Sequence, residues 1–91
     1  MAEFMMIMKG NAATDDWQPY IEKLIATGFF RGGSAFGKGL CVTSTGVGED
    51  CIATGYMRFE ADSMDDVQSL LDGNPVLETG GAVEIHELIV T

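Results

Sequence analysis

Along this chain the spacing of apolar residues switches between a period near two and a period near four, and each switch marks an element. Glu3 to Lys9 (EFMMIMK) is apolar on both faces and ends at Gly10-Asn11, which predicts a short central strand buried on both sides. Met1, Met5, Met6 and Met8 give that strand a soft surface, suited to an irregular cavity as well as to a core. The period then lengthens. Trp17, Tyr20, Ile21, Leu24 and Ile25 recur at helical spacing and form one stripe. Thr14, Asp15 and Asp16 offer N-cap oxygen and negative charge at the start of this helix. Pro19 falls in its first turn, where a missing N–H has no helical acceptor, and Gly28 is placed to close it.

Phe29 to Val42 (FFRGGSAFGKGLCV) is extended but rich in glycine, which predicts a bent or bulged second strand. Thr43 to Asp50 (TSTGVGED) has the chemistry of a loop. Alternation returns in Cys51 to Ala61, with Thr54, Tyr56, Arg58 and Glu60 on one face and Gly55, Met57 and Phe59 on the other. Ser63 with Asp66 three residues on predicts the capped start of a second helix, with Met64, Val67, Leu70 and Leu71 as its apolar face. Gly73 and Pro75 are expected to stop it, and Ala82 to Val90 forms the last strand.

The order β-α-β-β-α-β over residues 1–91 predicts a single α+β domain. Its expected architecture is ferredoxin-like: an antiparallel four-stranded sheet with two helices on one face. The apolar pattern continues on the opposite face, which therefore needs a cover. A second copy, packed through that sheet face as a C2 homodimer, is the economical one. A chain of 91 residues buries only about 60–65% of its unfolded surface, which also favours association.

Charge narrows the function. Fourteen acidic against five basic residues give a net charge of -9, and Lys9, Lys23, Arg31, Lys38 and Arg58 are scattered, so no nucleic-acid partner is expected. No apolar run approaches the roughly 20 residues of a spanning helix, so no membrane partner is expected either. The opening MAEFMMIMKG has no basic start or cleavage site of a signal peptide, which makes the cytoplasm the expected location. Cys41 and Cys51 bracket the Gly/Thr-rich loop and either close a hairpin-type disulfide or stand as two reduced thiols, the form expected in a reducing compartment. Two thiols without a nearby histidine are too few for zinc, and neither metal nor cofactor is expected.

Candidate chemistry is sparse. Gly32 to Gly39 (GGSAFGKG) nearly matches the phosphate-binding loop, but Gly39 stands where a Mg²⁺-holding hydroxyl is needed, and no helix follows. Ser34 lacks the spacing of a nucleophile elbow. His86 is the only histidine, and alternation puts it on one face with Glu84 and Leu88, opposite Val83, Ile85 and Ile89. It is a candidate acid/base oriented by Glu84, or half of a solvated pair on an edge strand. Arg58, Tyr56 and Arg31 are candidates for holding a carboxylate or enolate, or for ion pairs at a dimer seam. Trp17 and Tyr20 are core residues or the walls of a pocket between helix and sheet.

The runs GNPVLETGGAVEIHELIV, ADSMDDV and GFFRGGSAFG, with the short apolar strand that opens the chain, together resemble the YCII-related proteins. The resemblance implies a dimeric α+β barrel, with two sheets meeting face to face and a cavity between each sheet and its helices. Relatives of that fold include small monooxygenases, muconolactone-type isomerases and dye- or haem-handling enzymes, so the fold alone does not select a reaction. Some family members carry a proposed catalytic histidine three residues before a tyrosine at the start of the first helix, and here Trp17 holds that place ahead of Tyr20. The Asp-Gly-Pro-Phe signature of another branch is absent between Ser44 and Asp50.

The expected function is small-molecule binding, extending to cofactor-independent acid–base chemistry on a small carbonyl or aromatic compound. His86 would be the acid/base and Arg58 would steady negative charge, with Trp17, Tyr20, Arg31, Tyr56 and Glu84 around the ligand. The alternative is a non-catalytic dimerisation or accessory module whose cavity is filled by its own side chains. Haem binding through His86 is a third reading, resting on fold analogy.

Overall fold

The computed structural model describes residues 2–12, 14–48 and 52–89. Its elements in chain order are β1 (Ala2–Lys9), α1 (Trp17–Thr27), β2 (Phe30–Ala35), β3 (Val42–Thr43), β4 (Gly46–Val47), β5 (Ala53–Ala61), α2 (Met64–Gln68), α3 (Pro75–Glu78) and β6 (Ala82–Leu88). Four strands form one antiparallel sheet in the order β2-β5-β1-β6, and β3 with β4 makes a separate small hairpin. This is a small α+β structure consistent with a ferredoxin-like fold. Cys51 and Val90, and with Cys51 the candidate disulfide, lie outside the described residues, whereas Cys41 is exposed.

Strand alternation sorts the sheet into two unlike faces. Phe4, Met6 and Met8 of β1 and Met57, Phe59 and Ala61 of β5 are buried against Tyr20 and Leu24 of α1, with Val67, Leu70 and Val76 completing the core. Register aligns Phe30, Phe59 and Phe4 in one row across β2, β5 and β1. The opposite face carries Glu3, Met5, Ile7 and Lys9 of β1, which are only half-buried. The expectation of a strand buried on both sides is thus corrected for the single chain: β1 is central, but one of its faces is covered and the other is open. The shortest dimension, 18 Å, is what one sheet with one layer of helices occupies, since packed layers are about 10 Å apart.

Local chemistry accounts for the boundaries. Gly28 ends α1 at φ 80°, its N–H reaching Ile25 O at 3.2 Å. The helix start differs from expectation: Thr14–Asp16 form a 3₁₀ turn, and Asp16 is itself helical and makes no side-chain cap bond. Ile25 is 61% exposed because it lies about 100° around the helix from buried Leu24. β2 is bulged between Phe30 and Gly33, with Gly32 at φ 103°, and it ends at Ala35 rather than continuing to Val42. Beyond it the β3–β4 arm exposes Leu40, Val42 and Val47.

The second helical segment is broken into pieces. Ser63 caps α2 by accepting from Asp66 N at 3.3 Å, and a 3₁₀ turn, Ser69–Leu71, follows. Gly73, at φ 83°, ends the run, but Pro75 starts α3 instead of stopping a helix. Asn74 makes that start possible: it is 0% exposed, and its Oδ1 accepts from Val76 N at 3.0 Å and Leu77 N at 3.3 Å. Asn74→Ala strands the buried Val76 N and removes the partner of Leu77 N, and is expected to cost about 2 kcal/mol. A urea titration following helicity measures it, and a loss below about 0.5 kcal/mol would show that the cap is dispensable.

Candidate functional site

Large side chains fill one end of the space between α1 and the sheet, and small ones line the other. Phe4, Phe59, Leu24 and Val67 close the first end. Toward the second, Ala12, Gly33, Ala35, Ala53 and Gly55 leave a cavity of about 720 Å³. Trp17 and Ile21 of α1 stand over it, with Phe30 on β2, Met8 on β1, Met57 on β5 and Phe36 just past β2. Gly33 is sterically required at this site and Gly55 is tightly confined. A Cβ on Gly33 would sit 2.3 Å from Tyr56 O, and one on Gly55 would sit 3.0 Å from Ser34 O.

A β-bulge shapes the mouth. Met8 pairs with Gly55 but Lys9 pairs with Ala53, which leaves Thr54 as the extra residue. Its hydroxyl donates to Gly10 O at 2.6 Å and ties the bulge to the start of the β1–α1 loop. Ser34 Oγ, also in the lining, donates to Ala35 O at 2.9 Å. The Tyr56 ring stacks on Phe36, with centroids 5.8 Å apart and 24° between planes. Trp17 is half-buried and meets Tyr20 edge-on at 6.2 Å.

The residues singled out from the sequence fall into two groups. Trp17 lines the cavity, Tyr56 only borders it, since alternation turns its ring to the open face with Ile7, and His86, Glu84, Arg58, Arg31 and Tyr20 lie outside it. Tyr20 is buried beneath α1, and its phenol donates to Leu70 O at 2.7 Å. Burial pushes that phenol's pKa up, and the neighbouring Asn74 amide works the other way. Tyr20 also borders a shallower cleft of about 500 Å³ with Asp15, Asp16, Lys23 and Glu78. Met8, Ile21, Phe30, Phe36 and the floor glycines are lining residues that sequence reasoning did not single out as a site. The signal available for them was the glycine density of GGSAFG, read as a bend rather than as a cavity floor.

His86, also the candidate haem ligand, lies on the open face, where register sets it beside Met5. Its Nε2 is 2.7 Å from Glu84 Oε1, and the other Glu84 oxygen is paired with Lys9. Arg58 pairs with Glu3 at 3.2 Å and Arg31 with Glu60 at 3.3 Å. The open face thus carries a lattice of short-range ion pairs around the half-buried Met5 and Ile7. Among the described residues, no cluster of three or more potential ligands is set to hold a metal ion, and no helix is long and apolar enough to cross a membrane.

The Lys9 ammonium first, and the His86 ring second, hold the Glu84 carboxyl below the ordinary glutamate value of about 4.3. A carboxyl depressed only in the folded state stabilises fully above its unfolded value, and that contribution is lost as pH falls through the folded value. The melting temperature of the native chain is therefore expected to exceed that of Glu84→Gln at neutral pH, with the gap closing below about pH 4. Thermal melts of both proteins in low salt check it, because solvent screening weakens an exposed pair. A gap that persists unchanged into acid would show that the carboxylate's charge is not what matters.

No protein-family model and no curated protein sequence matches the chain. Solved structures do. A 5-chloro-2-hydroxyhydroquinone dehydrochlorinase from Burkholderia phenoliruptrix, in complex with 2,5-dihydroxybenzoquinone, aligns with a TM-score of 0.61 at 17% identity, covering 96% of this chain and 93% of that one. CPII bound to ADP and bicarbonate, from Thiomonas intermedia, aligns with a TM-score of 0.48 at 22% identity, covering 98% of this chain and 87% of that one. The first likeness is one of fold, and the second is too slight to carry an argument.

Proposed function

We propose that this chain is a small-molecule-binding protein of the YCII-related type that takes its ligand between α1 and the sheet. The observation that carries this is the cavity of about 720 Å³. Its volume lies within the roughly 300–1,000 Å³ of ligand pockets, and its lining combines apolar walls with a few polar groups. Trp17 is the helix wall, and Met8 and Met57 lie on the sheet side. A cavity of this size, unfilled by the chain's own side chains, favours binding over an accessory module with a filled interior.

In the same reading the chain is one cytoplasmic βαββαβ domain that pairs with a second copy through its open sheet face, giving a dimeric α+β barrel. The half-buried Met5 and Ile7 support that face as the contact, and the exposed apolar arm at β3–β4 adds surface for a partner copy to cover. Its charges are already matched within the chain, so burial would not strand them. We assign His86, Glu84, Arg31 and Arg58 to this contact rather than to the ligand. The dihydroxybenzoquinone bound by the similarly folded dehydrochlorinase makes a hydroxylated aromatic compound the first to test.

Native mass spectrometry of the freshly purified protein tests both halves. A dimer carrying a discrete non-covalent adduct is the expected result, and the mass difference identifies the ligand. A monomer would remove the barrel. A dimer that takes up no compound from an aromatic library would remove the binding reading.

A further inference from the structure

Within the reading that this cavity is the binding site, the composition of its lining restricts what can occupy it. Among the described residues that line it, none carries an acidic or basic side chain. The rings of Trp17 and Phe30 and the thioethers of Met8 and Met57 face it, while Phe36 and Tyr56, stacked on each other, border it at the sheet edge with the neutral Asn11, Ser34 and Thr54. The neighbouring cleft is the opposite, bordered by Asp15, Asp16, Lys23 and Glu78.

Four of the chain's five lysines and arginines are committed elsewhere, and the fifth, Lys38, is exposed and outside the lining. Lys9 is paired with Glu84, Lys23 with Asp72, Arg31 with Glu60 and Arg58 with Glu3. A ligand anion would therefore be desolvated with no partner inside a protein of net charge -9, and such a burial is strongly unfavourable. A ligand cation would find aromatic faces but no carboxylate in the lining. A single small ring would leave most of 720 Å³ without van der Waals partners. We infer that the pocket takes an uncharged, multi-ring aromatic molecule, held by stacking and dispersion against Trp17 and the two methionines.

Two dyes of one aromatic framework separate the possibilities: phenylnaphthylamine, which is neutral, and anilinonaphthalene sulfonate, which is its anionic counterpart. Each is titrated into the intact protein. Trp17 is the only tryptophan, and energy transfer from it reports binding. Because such transfer reaches across a molecule of 43 × 37 × 18 Å, each titration is repeated on Trp17→Ala with the dye's own fluorescence. Loss of affinity there assigns the dye to this cavity, and unchanged affinity places it elsewhere. The neutral dye is expected to bind at least about tenfold more tightly, in line with the cost of an unpaired buried charge. Ile21→Arg, which sets a cation in the cavity wall from the half-buried face of α1, is expected to reverse the order. Equal or tighter binding of the sulfonate by the unmodified protein would overturn the ligand class while leaving the pocket standing. Failure of both dyes to accept energy from Trp17 would overturn the pocket reading itself.

Discussion

Phe59→Ala is expected to lower stability by about 3–5 kcal/mol, the usual cost of emptying a fully buried phenylalanine site. Phe59 is 1% exposed and occupies the middle of the Phe30–Phe59–Phe4 row, its ring 5.6 Å from that of Phe30. Truncation leaves a void that strands on both sides cannot close, because β5 is hydrogen-bonded to each of them. A domain of this size has about 5–15 kcal/mol in total, so the variant should lose about a fifth of its stability or more. The melting temperature should fall by roughly 12–40 °C, at about 4–8 °C per kcal/mol. Phe59→Leu keeps most of the volume and should recover most of the loss. Urea unfolding measures both, and a loss below about 1 kcal/mol for the alanine variant would mean that the row does not organise the core.

The second large effect concerns binding. Trp17→Ala removes the aromatic wall of the cavity while sparing the fully buried stripe of Tyr20 and Leu24 beneath it. Affinity for phenylnaphthylamine is expected to fall about tenfold or more, from lost ring contact and stacking together. The dye's own fluorescence measures this once the tryptophan is gone. Trp17→Phe should keep a ring in place and restore most of the affinity. Unchanged binding by the alanine variant would place the ligand elsewhere.

Much of the sheet was legible because strand periodicity depends on few neighbours. The alternation of Thr54, Tyr56, Arg58 and Glu60 against Gly55, Met57 and Phe59 reappears in the observed burial, and register sets Leu88, His86 and Glu84 beside Glu3, Met5 and Ile7 on one face. The bulge in β2 followed from its glycines. The α2–α3 region departs from expectation because proline is a breaker inside a helix, whereas Asn74-Pro75 is a helix start, an N-cap oxygen followed by proline at the first helical position. The open face of β1 could not be told from a covered one, since Met5 and Ile7 look the same in sequence whether a second copy is present or not. The candidate site was the least legible part. Trp17 stood out, but the cavity is made by what is missing at Gly33, Ala35 and Gly55, and absent side chains leave little pattern. The charged residues attracted attention first, and they lie outside the cavity, on the far face of the sheet or, like Arg31, along its edge.

The distinction between those two faces is what the binding reading stands on, and one measurement separates them. Amide and indole N–H NMR spectra of the nitrogen-labelled protein, recorded while a neutral multi-ring aromatic compound is added, report each position at once. The expected result is movement of the Trp17 indole signal and of the Gly33, Ala35 and Gly55 amides, with those of Met5, His86 and Leu88 still. Movement concentrated at Met5, His86 and Leu88, with the Trp17 indole unchanged, would contradict it and transfer the site to the open face of the sheet.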